Sequence, residues 1–225
     1  MQRMGTLYLI RHGQASFGAD DYDLLSPMGR QQSLRLGQWF EAKGIGFDGA
    51  LTGTLTRQMQ TFAGICEGLG TEVPVVRNPA LNEYDSHAVI ATVYSQPLTK
   101  TATPEAYREY FRLLKSGLAL WMAGSAQPLG MPSYRDFAAG IAGVLDGIRS
   151  QHSGNVLLVS SKGPIATAVG QVLGTSFETT IELNLRIRNA SLTEFAFTPK
   201  RHMLVSYNAL PHFDAPEHAA WVTYA

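Results

Sequence analysis

The chain has 225 residues, 45% hydrophobic and 16% charged, and its 18 basic and 18 acidic side chains leave no formal net charge. That length suits one domain, or one domain carrying an insertion, and the balanced charge argues against a general electrostatic nucleic-acid binder, which needs a basic excess. A single cysteine, Cys66, excludes an intramolecular disulfide and fits a reducing compartment, and no apolar run approaches the ~20 residues of a membrane span. The opening Met1-Gln2-Arg3-Met4-Gly5 runs straight into an apolar strand and does not read as a secretory signal. A soluble, cytoplasmic protein without a nucleic-acid or membrane partner is expected; nothing in the sequence fixes its oligomeric state.

In chain order, the apolar run Leu7-Tyr8-Leu9-Ile10 predicts a buried strand over Thr6–Ile10. Ser26-Pro27 opens a helix, a capping residue followed by proline at the first helical position, and Gly44 stops it. Strands are predicted at Gly49–Thr52 and Val73–Val76, with a helix over roughly Leu55–Leu69 between them. A helix over about Pro104–Ala123 carries Tyr107, Phe111, Leu114, Leu118 and Trp121 at helical spacing, a stripe that reads as packing rather than ligand contact. Ser133 caps a helix running to about Arg149, and Pro164 opens another that ends near Gly174. Strands at Val156–Ser160, Ser191–Phe197 and His202–Tyr207 complete the set. Alternating strands and helices imply a three-layer α/β/α sandwich on a mostly parallel central sheet. The stretch from about 85 to 132 lacks a clear strand and reads as a helical insertion capping the carboxyl end of the sheet, within a single domain spanning 1–225.

The chemistry concentrates where the first strand ends, in Arg11-His12-Gly13-Gln14. Open α/β sheets bind ligands at the carboxyl ends of their strands. There an arginine offers a planar fork for phosphate oxygens, a histidine a nucleophile or acid–base group, and Gly13 room for a sharp turn or a close ligand. Three further segments follow strands or open helices: Leu25-Ser26-Pro27-Met28-Gly29-Arg30-Gln31-Gln32, Thr52-Gly53-Thr54-Leu55-Thr56-Arg57 continuing to Gln60-Thr61, and Leu81-Asn82-Glu83-Tyr84. Taken singly, Arg57 reads as a solvated helix arginine and Glu83 as an ordinary turn glutamate. In this order and spacing the set resembles the histidine phosphatase superfamily, also called the phosphoglycerate mutase-like family, over most of the chain.

The resemblance implies that His12 is the nucleophile that becomes a phosphohistidine, that Arg11 and Arg57 clamp the phosphoryl group, and that Glu83 protonates the leaving oxygen. It also implies a small phosphorylated substrate, with no metal and no cofactor. The chain departs from the pattern after the strand Val156–Ser160: Ser161 stands where the family usually has a second histidine, and Lys162 where it has glycine. This marks an atypical branch. Loss of a hydrogen bond to a charged group, worth roughly 1.5–3 kcal/mol, slows such a reaction without abolishing it. Ser161 retains a hydroxyl, backbone amides at the start of the following helix can face an anion, and Lys162 either adds charge or lies on the surface. His87, four residues after Glu83, and His212, in an Asn208-to-His212 run resembling a family C-terminal pattern, are either pocket or structural histidines. Gln14-Ala15-Ser16-Phe17-Gly18 is expected to line the pocket mouth, with Gln14 and Ser16 contributing polar groups. Asn189 resembles another family position near the site.

Competing chemistries fare worse. Glu72, not arginine, lies six positions after Cys66, so a cysteine phosphatase loop is absent. Asp21-Tyr22-Asp23-Leu24 hints at an aspartate phosphatase but does not directly follow an apolar strand and reads as loop. Neither a Gly-x-x-x-x-Gly-Lys loop nor a Gly-x-Ser-x-Gly elbow occurs, and the six histidines show no metal-ligand spacing. A phosphomonoester hydrolase is therefore expected. Mutase-type phosphotransfer is the alternative within the family, although Glu83 is followed by Tyr84-Asp85-Ser86-His87 rather than the mutases' Arg-His-Tyr-Gly. A catalytically weak phosphate-binding or regulatory module, suggested by Ser161, is the alternative outside catalysis.

Overall fold

The computed structural model describes residues 4–16, 23–96 and 103–224. Six strands form one sheet: β1 (Gly5–Arg11), β2 (Gly49–Thr52), β3 (Val75–Arg77), β4 (Asn155–Ser160), β5 (Leu192–Thr198) and β6 (Arg201–Ala209). Their spatial order is β3-β2-β4-β1-β5-β6. Strands β1 to β4 run parallel, β5 is antiparallel to β1, and β6 is antiparallel to β5, so β5 alone is reversed.

The period-two alternation of β1 sorts its side chains between two layers. Leu7 and Leu9 join Val156 and Leu158 of β4 against α5 (Tyr134–Gln151) and α6 (Lys162–Leu173) through Ile141, Leu145, Ile148, Ile165 and Val169. Tyr8 and Ile10 face the other way, onto α1 (Pro27–Ala42) and α2 (Thr56–Leu69) through Leu36, Phe40, Phe62 and Ile65. The result is helices on both faces of the sheet, as expected.

Between β3 and α5 lie α3 (Ser86–Ala91) and α4 (Pro104–Met122). They build a third apolar cluster with α7 (Phe177–Arg186), around Val89, Ile90, Leu114, Leu118, Trp121 and Ile181. The stripe of α4 is therefore mostly packing, though Tyr107 and Phe111 at its N-terminal end stay exposed.

Two boundaries and two added helices correct the sequence reading. β3 starts at Val75 rather than Val73, because Pro74 has no amide to donate and serves through its carbonyl, which accepts from the Ala50 amide at 2.9 Å. Helix α6 starts at Lys162, capped by Ser161, so Pro164 lies inside the first turn, where a missing N–H costs nothing. Helices α3 and α7 were not expected. No helix among the described residues is long and apolar enough to cross a membrane.

Candidate active site

The carboxyl ends of β1 and β4 lie side by side, with Arg11 opposite Ser160. The His12 amide donates to the Ser160 carbonyl at 2.9 Å, and the His12 carbonyl accepts from the Ala190 amide at 3.2 Å and Asn189 Nδ2 at 3.3 Å. The Gly13 amide donates to Thr61 Oγ1 at 3.0 Å, which in turn donates to the Arg57 carbonyl at 2.7 Å. The turn is thereby fixed to α2 on one side and to the segment that leads into β5 on the other. Gly13 serves a close backbone approach rather than a ligand: a Cβ there would lie 2.4 Å from the Gly29 carbonyl oxygen, and one on Gly29 would lie 2.1 Å from that of Gln14.

The two hydrogen bonds of the buried His12 ring agree on its tautomer. Nδ1 lies 2.7 Å from the Gly13 carbonyl, which can only accept, so Nδ1 carries the proton. Nε2 lies 3.3 Å from Arg57 Nε–H, which can only donate, so Nε2 presents its lone pair. Burial, reinforced by the guanidiniums of Arg11 and Arg57, holds the imidazole pKa well below its ordinary value. The ring is neutral and Nε2 is its unprotonated nitrogen.

Arg57 sits in the first turn of α2, nearly buried, and its Nη1 pairs with Asp23 Oδ1 at 2.6 Å. Asp23 Oδ2 accepts from the Thr56 amide at 2.7 Å. Arg11 is buried and donates through Nη1 to the carbonyls of Ile187 and Tyr224. The C-terminal residues are wired further into this frame. Asn189 exchanges bonds with Thr223 through its amide and its side chain, and Gln32 donates to the Trp221 carbonyl and Thr223 Oγ1 while accepting from the Gln14 amide.

Glu83 Oε1 accepts from the Gly163 amide at 3.1 Å and the Tyr84 amide at 3.3 Å. Burial raises its pKa above the usual carboxylate value, against the pull of Lys162, Arg57 and Arg11. Lys162 is partly buried, and desolvation lowers its pKa to about 8 despite the nearby Glu83. Its ammonium stands 5.9 Å from the centre of the Phe111 ring, which brings α4 to the site. The surface reading of Lys162 thus gives way to a charge beside the acid. Ser161 is fully buried, and its Oγ accepts from Gln58 Nε2 at 2.9 Å, the same group that donates to the Leu81 carbonyl. A cavity of about 350 Å³ adjoins Glu83, walled by Asn82, Asp85, Met131, Asp136 and Phe137, with room for a small organic group.

The structure therefore brings together Arg11, His12, Arg57 and Glu83, with Ser161 and Lys162 at the edge. The others stand apart or face elsewhere. Gln14 accepts through Oε1 from the Ser26 hydroxyl, tying it to the cap of α1. Ser16 bonds by its amide to the Leu24 carbonyl. Phe17, Gly18, Asp21 and Tyr22 lie outside the described residues. Asn189 holds the His12 backbone. His87 is 80% exposed in the first turn of α3, near only the Asp85 carboxylate. His212 is buried against Phe213, its backbone carbonyl accepting from Arg35 Nε, and burial pushes its pKa down to about 3. Asp23, Gln58 and Thr61 belong to the site and were not singled out from the sequence. The run onward from Arg57 was the signal for the last two; the carboxylate in a loop gave none. Among the described residues, no cluster of His, Cys, Asp or Glu is placed to hold a metal ion.

Residues 7–210 match the model of the histidine phosphatase superfamily, branch 1. The chain belongs to that superfamily. It is 40% identical over 87 residues to a 2,3-bisphosphoglycerate-dependent phosphoglycerate mutase of Xanthobacter autotrophicus, a stretch that takes in 35% of this chain and only 42% of that mutase. Among solved structures, a phosphoserine phosphatase of Entamoeba histolytica in complex with phosphoserine superposes with a TM-score of 0.64 at 19% identity, covering 92% of this chain and 98% of that one. A mycobacterial glucosyl-3-phosphoglycerate phosphatase gives 0.63 at 22% identity, covering 92% and 100%. At these identities the likeness is one of fold.

Proposed function

We propose that this superfamily member is a phosphomonoester hydrolase working through a phosphohistidine at His12. The observation that carries the reading is the state of the His12 ring: neutral, with its Nδ1 proton committed to the Gly13 carbonyl and its Nε2 lone pair facing Arg57. Nε2 attacks phosphorus without first losing a proton, and the bond from phosphorus to the leaving oxygen breaks. Glu83, its pKa raised by burial, gives its proton to that oxygen. Arg11, Arg57 and Lys162 offset the charge of the phosphoryl oxygens. Water then attacks the phosphohistidine, Glu83 takes up the water proton, and Nε2 leaves as phosphate is released. Asn189 and Thr61 act by holding the turn that carries the ring.

Similarity to a mutase keeps phosphoryl transfer between hydroxyls as a second reading, while the sequence after Glu83 favours hydrolysis. The test is hydrolysis of an aryl phosphate by the wild type and His12→Ala, with acid-labile, base-stable phosphate trapped on the protein. Turnover and label that both vanish in the variant support the mechanism. Label without phosphate release, discharged by an added phosphoglycerate, would favour the mutase. Absence of both turnover and label, with phosphate still bound, would leave a binding module.

A further inference from the structure

Asp23 is paired directly with Arg57 yet has no part in the proposed chemistry, and its position opposes that chemistry. Its two oxygens are divided between Arg57 Nη1 at 2.6 Å and the Thr56 amide at 2.7 Å, so the carboxylate is anchored to the first turn of α2 while it grips the arginine beside it. On its other flank the same guanidinium donates from Nε to His12 Nε2 at 3.3 Å. A lone pair that accepts a hydrogen bond cannot at the same moment attack phosphorus. For a phosphoryl group to sit in line with Nε2, Arg57 must turn its Nε donor from the ring towards the phosphoryl oxygens, a movement made with Nη1 still paired to Asp23. Asp23 competes for the guanidinium by charge, and, being anchored on Thr56, it stays beside the arriving anion.

We propose that Asp23 is a built-in competing anion: it closes Arg57 on the protein when the site is empty and weakens the hold on inorganic phosphate once the reaction is over. The idea rests on the phosphatase reading and adds to it a device for product release. A merely structural or aiming role for Asp23 predicts the opposite sign, because an arginine left unaimed would bind phosphate less well. Asp23→Asn removes the charge and keeps an acceptor for the Thr56 amide; Asp23→Ser does the same with a smaller group.

The experiment is calorimetric titration of inorganic phosphate into wild type, Asp23→Asn and Asp23→Ser at one fixed ionic strength, with melting temperatures recorded for each and aryl phosphate turnover measured alongside. Both variants should bind phosphate at least about tenfold more tightly, about 1.4 kcal/mol, and show lower inhibition constants for phosphate and lower kcat, as release slows. If the asparagine variant fails to fold, the serine variant carries the comparison. Wild-type binding with equal or weaker binding in the folded variants overturns the competing-anion role and leaves the phosphatase reading intact. Aryl phosphate turnover with no phosphate binding in any of the three proteins overturns the competing anion alone; absence of both turnover and binding overturns the phosphatase reading, and the competing anion falls with it.

Discussion

Replacing Gly163 with alanine would place a methyl carbon 2.3 Å from Glu83 Oε1 and 2.6 Å from the Tyr84 ring. Tyr84 is buried and its hydroxyl accepts from Asn184 Nδ2, so the ring has little freedom to retreat. The flexible end is the Glu83 carboxyl, which must withdraw by about 1.1 Å to reach ordinary contact at 3.4 Å. Overpacking against the Tyr84 ring costs roughly 1–3 kcal/mol, offset in part by alanine's helix advantage over glycine of roughly 0.5–1 kcal/mol, so a folded but less stable variant is expected. A displacement of this size in a reacting group costs on the order of 10²-fold. The loss should depend on the leaving group: an alkoxide needs its proton during cleavage, whereas 4-nitrophenolate leaves almost unaided. Steady-state kcat for Gly163→Ala should fall on the order of 10²-fold with an alkyl phosphate and far less with 4-nitrophenyl phosphate. Equal losses on both esters, or none on either, would refute Glu83 as the proton donor.

Activity should decline as pH rises through the elevated pKa of Glu83, because the donor form is lost, and kcat/KM for an alkyl phosphate in Glu83→Gln should be low and without that alkaline limb. Lys162 carries a folded pKa lowered to about 8, so below that pH the fold bears the cost of a desolvated charge, relieved as pH rises towards 10.5. Lys162→Met should therefore raise stability at pH 7 by on the order of 1–3 kcal/mol, discounted for partial exposure, while raising KM; denaturant melts and kinetics check the pair. His212, neutral in the fold with a pKa of about 3, makes stability fall as pH drops from about 6.5 towards 3, and His212→Leu should flatten that loss in melts at pH 4–6. Gln58→Leu should cost roughly 1–3 kcal/mol of stability by leaving the buried Ser161 hydroxyl without its donor, while the Leu81 carbonyl keeps the bond from Ser160 Oγ.

The layered sheet was legible because β1, β2 and β4 are short apolar runs ending in polar residues, and because α1 and α5 announce themselves with Ser26 and Ser133. The site's main residues were legible for the same topological reason: Arg11, His12 and Ser161 end adjacent strands, and Arg57 opens the helix after a third. Helix α7 carried a start signal that went unused, Ser176 accepting from the Thr179 amide with Glu178 in the first turn. The six residues of α3 give periodicity too little length to act on. Asp23 was illegible in principle. Its meaning comes from a partner 34 positions away that only folding brings near, and its own neighbours in sequence read as loop. For Lys162 the choice between added charge and surface stayed open because local sequence does not report which side of a helix start faces an acid, and for His212 the choice between pocket and structural roles stayed open because a matching run does not report where its ring packs.

The wiring of Trp221, Thr223 and Tyr224 into Gln32, Asn189 and Arg11 also has a consequence for the order of folding. His12 follows the first strand, yet the arginine beside it is held by a carbonyl more than two hundred positions later. During synthesis the sheet can gather its strands as β4 and β5 emerge, but the guanidinium of Arg11, which the Ile187 carbonyl can hold by then, meets the Tyr224 carbonyl only later. Closing so long a loop is slow relative to forming local helices. A nascent chain would therefore complete the hold on Arg11 late, after its sheet has formed.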